Sequence, residues 1–182
     1  MISAVVLAMG SVPIIWLSRR SLLHPATHGF FRFFAFEAIL ALIVLNASHW
    51  FVRPFGAQQL ASWFLLVVSV ILVIWGFLLL RRFGGSRPKT EASPEFEWER
   101  TESLVTDGVY RYIRHPMYSS LLFLAWGALL KSVSLSTLAL AGVATLALVA
   151  TAKAEEAENV ARFGGQYRDY VKRTRLFVPF VL

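Results

Sequence analysis

Cysteine is absent from the 182 residues, and acidic side chains number only 11 against 18 Lys and Arg. The first absence removes disulfides, thiolate nucleophiles and cysteine-bound metals. The four histidines are scattered without ligand spacing, so no metal is expected. Charge of either sign is scarce: 16% of the chain is charged while 57% is hydrophobic, which is too apolar for a soluble domain and leaves a small membrane protein as the class. The formal charge of +7 is a possible mark of nucleic-acid binding. Basic residues interleaved with apolar runs are, however, the usual orientation signal of a membrane chain, so the expected partners are anionic lipid headgroups and not nucleic acid. Nothing in the composition bears on oligomeric state.

What the chain does have is long apolar runs. They cover residues 2–17, 33–52, 60–80 and 117–152, the last interrupted by Lys131-Ser132. A span needs roughly 20 residues, at about 1.5 Å rise each across a hydrocarbon core of about 30 Å. The last run therefore holds two short spans joined by a tight turn near Lys131 to Ser134. The expected fold is all-α: a polytopic membrane protein with five transmembrane helices, a helical hairpin over 116–152 and a C-terminal amphipathic helix. Three N-terminal helices occupy 1–80, and 81–182 forms a second half. Threaded this way, all basic residues except Arg53 and Lys131 fall on one side, Arg32 being counted in the loop after the first helix. That side is expected to be cytoplasmic, with the N-terminus outside. The first helix has no basic residue before it, unlike a cleaved signal peptide, and is expected to be retained.

The one long polar segment runs from Arg81 to His115 and opens on the breakers Gly84-Gly85-Ser86-Arg87-Pro88. Its second half carries apolar anchors, Phe96-Glu97-Trp98 and Leu104 to Tyr110, with a turn at Asp107-Gly108, so an ordered lid is expected. After the fifth span, Lys153 to Lys172 reads as an amphipathic helix interrupted at Gly164-Gly165. Glu37 lies about two turns into the second span, where an ionised group is costly and is a candidate for substrate contact. Asn46 and His49 read as interhelical or interface groups, and Phe30 to Phe34 as lipid-facing packing.

The most pointed motif is Arg114-His115-Pro116-Met117-Tyr118, at the start of an apolar helix. Pro116 sits at the first turn, where the N–H it lacks would be unpaired anyway. Free N–H groups, the helix dipole, a guanidinium and an imidazole together suit a carboxylate or phosphate. Counted from the hairpin turn, Pro116 and Glu155-Glu156 emerge at similar depth, so His115 and the Glu pair are expected to face one pocket.

With these residues in view, the C-terminal part resembles a known family. Leu104 through Tyr118, Glu155-Glu156, Phe163 through Tyr170 and Thr174 through Pro179 are similar, in order and spacing, to isoprenylcysteine carboxyl methyltransferases and the related phospholipid methyltransferases. The resemblance covers about the last 80 residues. It implies an integral-membrane methyltransferase using S-adenosylmethionine, with the cofactor at the cytoplasmic side and a lipid or lipidated acceptor. It implies cofactor contacts at Tyr110, His115, Pro116, Tyr118, Glu155, Glu156, Tyr167 and Tyr170, and catalytic or orienting roles for Arg114, Glu155 and Glu156. The cofactor has a carboxylate, an ammonium and a sulfonium, so its site wants a cationic end, an anionic end and aromatic surface. A carboxylate acceptor needs a positioning cation, for which Arg114 and Arg175 are candidates; an amine acceptor needs a base such as Glu155 or Glu156. Carboxyl O-methylation of the isoprenylcysteine type is the first expectation and phospholipid N-methylation the alternative; a non-catalytic lipid-binding protein is a third reading.

Overall fold

The computed structural model describes residues 2–25, 27–85 and 101–179. The Phe96-Glu97-Trp98 anchor, the acidic run Glu91 to Glu99 and the basic residues Arg87, Lys89 and Arg100 lie outside the described residues. Among the described residues six α-helices follow in order: α1 (Ile2–Ser18), α2 (His28–Leu45), α3 (Ala57–Phe83), α4 (Pro116–Leu129), α5 (Leu135–Phe163) and α6 (Gly165–Arg173). Among the described residues the only pairing of β type is an isolated parallel bridge between Ile113 and Arg175.

The five apolar helices fall where the runs were, but three of them, α2, α3 and α5, are long and apolar enough to cross a membrane; α1 and α4 are shorter apolar helices. At 14 residues, α4 is about 21 Å long, well short of a hydrocarbon core of about 30 Å. Five spans are thus an upper reading of the helices. Two boundaries also differ from expectation. First, α2 begins at His28, so Arg32 and the phenylalanines around it belong to its opening turns and not to a loop. Second, α5 does not end near Ala152: it runs 29 residues to Phe163, because no breaker intervenes before Gly164. The amphipathic C-terminal helix is only the nine residues of α6. A run of about 20 residues suffices for the hydrocarbon core, so the 29 residues of α5 are more than a span needs.

Local chemistry explains the ends of the hairpin. Ser134 caps α5: its hydroxyl accepts from the Thr137 N–H while the Thr137 side chain accepts from the Ser134 N–H. At the other end Gly164 takes φ 57°, a value that favours glycine, and turns the chain into α6. The turn between α4 and α5 is tied down by Lys131, which is 3% exposed. Its Nζ donates to Gln59 Oε1 at 3.1 Å and stands 3.4 Å from the centroid of the Trp63 ring.

Packing pairs α2 with α5 and α3 with α4, while α1 rests on α2. Small residues at the crossing of α2, α4 and α5, namely Ala38, Ala125, Ala128, Ala141 and Ala144, let the backbones approach. Asn46 donates from Nδ2 to the Ala128 carbonyl at 2.7 Å, and Ser62 donates to the Gly127 carbonyl at 2.7 Å. Asn46 is thus the interhelical group expected of it. Outward faces remain apolar: Val5, Met9 and Trp16 on α1, and Phe64, Val67, Val70 and Ile74 on α3, are exposed as lipid contact requires.

After α6, Thr174 to Pro179 returns as a strap along the segment before α4. Arg175 N–H donates to the Tyr112 carbonyl (2.9 Å), Arg114 N–H to the Arg175 carbonyl (2.8 Å) and His115 N–H to the Leu176 carbonyl (3.2 Å). Ser119 Oγ donates to the Phe177 carbonyl at 2.7 Å, and the Phe177 ring is buried beside Tyr118, Leu122 and Leu148.

Candidate functional site

A cavity of about 280 Å³ lies where α2, α3, α4, α5, α6 and residues 101–110 converge. His115, the residue that opens α4, is buried at its wall, and its ring stacks on Tyr118 with centroids 5.4 Å apart and planes at 16°. Glu155 lines the same cavity, with Oε1 3.8 Å from His115 Nδ1. Among the described residues His115 Nε2 is buried without a hydrogen-bond partner. Burial lowers the His115 pKa, Glu155 and Glu156 pull it back up in part, and Arg114 and Lys153 lower it further. The net direction is down, so the imidazole is neutral at pH 7 and carries both a donor and an acceptor nitrogen.

Glu156 is not among the residues lining the cavity, although its Oε1 stands 4.0 Å from His115 Nε2. Its Oε1 takes a 2.6 Å charge-assisted hydrogen bond from Arg114 Nε, and its Oε2 one of 2.9 Å from Lys153 Nζ. Arg114 gives Nη1 to the Thr174 carbonyl as well. The pair is largely shielded, at 8% and 12% side-chain exposure, and it bolts α5 to the residue before His115 and to the strap. Arg114 lines the cavity, with Nε and Nη1 already engaged by Glu156 and Thr174.

Three tyrosines contribute to the wall of the pocket. Tyr110, Tyr167 and Tyr170 all line it, and Tyr170 donates from its hydroxyl to the Tyr110 carbonyl at 2.6 Å. Burial pushes the Tyr110 hydroxyl pKa well above its usual value, with Glu155 adding to the effect. Burial does the same to Tyr167 and Tyr170, the two glutamates adding at Tyr167 and Tyr167 adding at Tyr170. All three stay neutral, which suits aromatic walls and not bases. The turn expected at Asp107-Gly108 is present: Gly108 has φ 58° and leads a short 3-10 helix, Gly108–Arg111, that delivers Tyr110.

Of the sequence candidates, Tyr110, Arg114, His115, Pro116, Tyr118, Glu155, Tyr167 and Tyr170 are brought together at the cavity. Glu156 is not among the lining residues. Glu37 does not line it: its Oε2 accepts from Ser11 Oγ at 2.7 Å, so the carboxylate faces α1. Arg175 is exposed and contributes backbone to the strap. Sequence reasoning missed Arg32, Phe36, Asn159 and Phe163, all of which line the cavity. Asn159 lies one helical turn after Glu155 and follows from helical period once α5 is known to continue. Arg32 follows only if α2 starts before Phe33.

The arrangement joins an imidazole with a nitrogen lacking a hydrogen-bond partner, a carboxylate and aromatic walls in one cavity. The phospholipid methyltransferase family matches residues 57–165, more than half of the chain. The chain belongs to that family. The family match begins at the first residue of α3, so it reaches further upstream than the C-terminal motifs. Two curated relatives of the family member are similar over part of the chain. One, protein-S-isoprenylcysteine O-methyltransferase of Schizosaccharomyces pombe, is 31% identical over 113 residues, covering 58% of this chain and 48% of the relative. The other, methanethiol S-methyltransferase of Crocosphaera subtropica, is 29% identical over 76 residues, covering 42% of this chain and 29% of the relative. The family member thus matches about half the length of the first relative and less of the second.

Proposed function

We propose that the protein is a membrane methyltransferase that uses S-adenosylmethionine and acts on a lipophilic acceptor, the carboxylate of an isoprenylcysteine-type thioether being the acceptor it fits best. The observation that carries this reading is that His115, whose buried Nε2 has no hydrogen-bond partner, and the Glu155 carboxylate, 3.8 Å from its Nδ1, line one tyrosine-walled cavity. The cofactor has the complementary groups: a carboxylate for an N–H donor, an ammonium for Glu155, and an adenine and a sulfonium for the aromatic rings. Homology to a protein-S-isoprenylcysteine O-methyltransferase supports the acceptor class.

The bound cofactor supplies a methyl group on a sulfonium, which is already activated for displacement. The chain's own residues supply place and dryness. His115 and the free N–H groups at the start of α4 hold an anionic end, and Glu155 holds the cationic end. Tyr110, Tyr167, Tyr170 and the Thr174–Pro179 strap exclude water, and the apolar walls of α3 and α4 align a lipid tail. Positioning of this kind can carry much of a methyl-transfer rate. A carboxylate acceptor is ionised at pH 7 and needs no base. In this reading the three N-terminal helices help form the acceptor side while 81–182 carries the cofactor side. The N-terminus lies outside and the site faces the cytoplasm, the arrangement the basic residues support.

A second reading, N-methylation of a phospholipid amine, is favoured by one feature, the Glu155 carboxylate at the cavity, which could take the amine proton. Alkali separates the two: a methyl label released from product by mild base marks an ester, and a retained label an amine. Calorimetry on detergent-purified protein tests the cofactor. Saturable binding of S-adenosylmethionine and S-adenosylhomocysteine, but not NADPH, is expected. A folded protein that binds neither adenosyl ligand would refute the proposal.

A further inference from the structure

Helix α5 presents three residues to the cavity at intervals of four: Glu155, Asn159 and Phe163. At about 1.5 Å rise per residue, each stands about 6 Å further along the helix than the one before, so this wall runs from carboxylate to carboxamide to phenyl. Glu155 has a place in the cofactor contacts proposed above; Asn159 has none. Among the described residues that line the cavity, Asn159 is the one carboxamide. The end of the wall beyond it is aromatic, with Phe163 on the next turn of α5 and Tyr167 and Tyr170 on α6.

The Asn159 side chain donates a hydrogen bond to Tyr167, whose residue is 2% exposed. A carboxamide has two N–H donors and a carbonyl acceptor. One N–H engaged at Tyr167 fixes which way round the amide sits. Its carbonyl and second N–H have no other side-chain hydrogen bond among the described residues. One acceptor beside one donor in a plane matches the edge of adenine, where the exocyclic amine donates and the ring nitrogen next to it accepts. Aromatic rings are the surface on which a base stacks.

We infer that Asn159 recognises the adenine of the adenosyl ligand, its carbonyl accepting from the exocyclic amine and its second N–H donating to the adjacent ring nitrogen. This rests on the methyltransferase reading above and deepens it, from the cofactor's charged end to its base. The consequence is selectivity. A hypoxanthine base, in which a carbonyl oxygen replaces the amine, sets acceptor against acceptor and leaves the Asn159 carbonyl unpaired. The hydrogen bond to Tyr167 opposes the turn of the amide that would relieve the mismatch.

The test is calorimetry on the full-length protein purified in detergent, with S-adenosylhomocysteine and S-inosylhomocysteine as ligands, so that no turnover enters the readout. The wild-type chain is expected to bind the adenosyl ligand roughly 10- to 100-fold more tightly than the inosyl one. Asn159→Leu, which keeps the side-chain size and loses both polar groups, is expected to weaken S-adenosylhomocysteine by a similar factor and to bind the two ligands about equally. Asn159→Ala, the residue a helix interior accepts best, carries the same expectation if the leucine variant does not fold. A role through Tyr167 alone would weaken both ligands together and keep their ratio at the wild-type value, and that result would overturn the assignment. Equal binding of the two ligands by the wild-type protein would also overturn it. Folded wild-type protein that binds neither ligand would remove the methyltransferase reading, and this assignment with it.

Discussion

His115 carries the most consequence of any single residue, because its burial has two separate effects. Burial depresses its pKa, so below the ordinary histidine value of about 6.5 the unfolded chain takes up a proton that the folded chain refuses. Stability from this group is present above about pH 6.5 and declines as pH falls below it. The thermal midpoint of wild-type protein in detergent should therefore drop between pH 6.5 and 5 more steeply than that of His115→Asn, and parallel curves would refute the assignment. The same substitution should weaken S-adenosylmethionine binding by at least about tenfold, since the shorter amide cannot reach the position of His115 Nε2. The Arg114 to Glu156 pair makes a different prediction. Removing one member of a shielded ion pair costs about 3–5 kcal/mol, whereas removing both and filling the space can be nearly neutral. Arg114→Met should thus lower the thermal midpoint more than Arg114→Met combined with Glu156→Met. At this scale the motif residues were legible because Arg114 to Tyr118 and Glu155-Glu156 are chemically distinctive and their spacing fits a hairpin. Arg32 was not legible, since a single arginine among four phenylalanines reads as an interface anchor until the helix is known to begin at His28.

Elements differ in how far their own residues dictate them. Helix α4 starts at Pro116 and α5 at the Ser134 cap for local reasons, and both starts were readable. Ser134→Ala should cost about 1 kcal/mol, the usual worth of an N-cap, read as a lower thermal midpoint with unchanged cofactor affinity. Gly108 takes φ 58°, and a Cβ there would meet Leu79 Cδ1 at 2.7 Å. Gly108→Ala should then cost roughly 1–2 kcal/mol and, unlike the cap variant, reduce cofactor affinity, because the 3-10 helix it opens carries Tyr110. The far end of α5 was misread as a separate amphipathic helix because hydropathy falls after Ala152. Hydropathy reports the solvent around a helix and not its continuity, and only Gly164 supplies a break.

For the whole molecule, the site is assembled from parts distant in sequence: α2 contributes Arg32, α4 opens at His115, α5 brings Glu155, and α6 brings Tyr167 and Tyr170. The strap closes this ring through hydrogen bonds to Tyr112, Arg114 and His115. Deleting residues 174–182 should leave the apolar helices able to insert but abolish S-adenosylhomocysteine binding, measured by calorimetry on the purified membrane protein; retained affinity would show that the strap is dispensable. The chain's class, its hairpin and its chemical motif were all set by local chemistry, because apolar runs, a proline at a helix start and paired carboxylates act through their own immediate backbone and solvent. Helix packing alone decided that Glu155 faces the cavity while Glu156 pairs with Arg114, that Glu37 turns to Ser11, and that Arg32 joins the pocket. Neighbouring positions on a helix point about 100° apart, so a composition pattern can locate a charged pair but not say which member looks inward. That choice belongs to the helices packed around it.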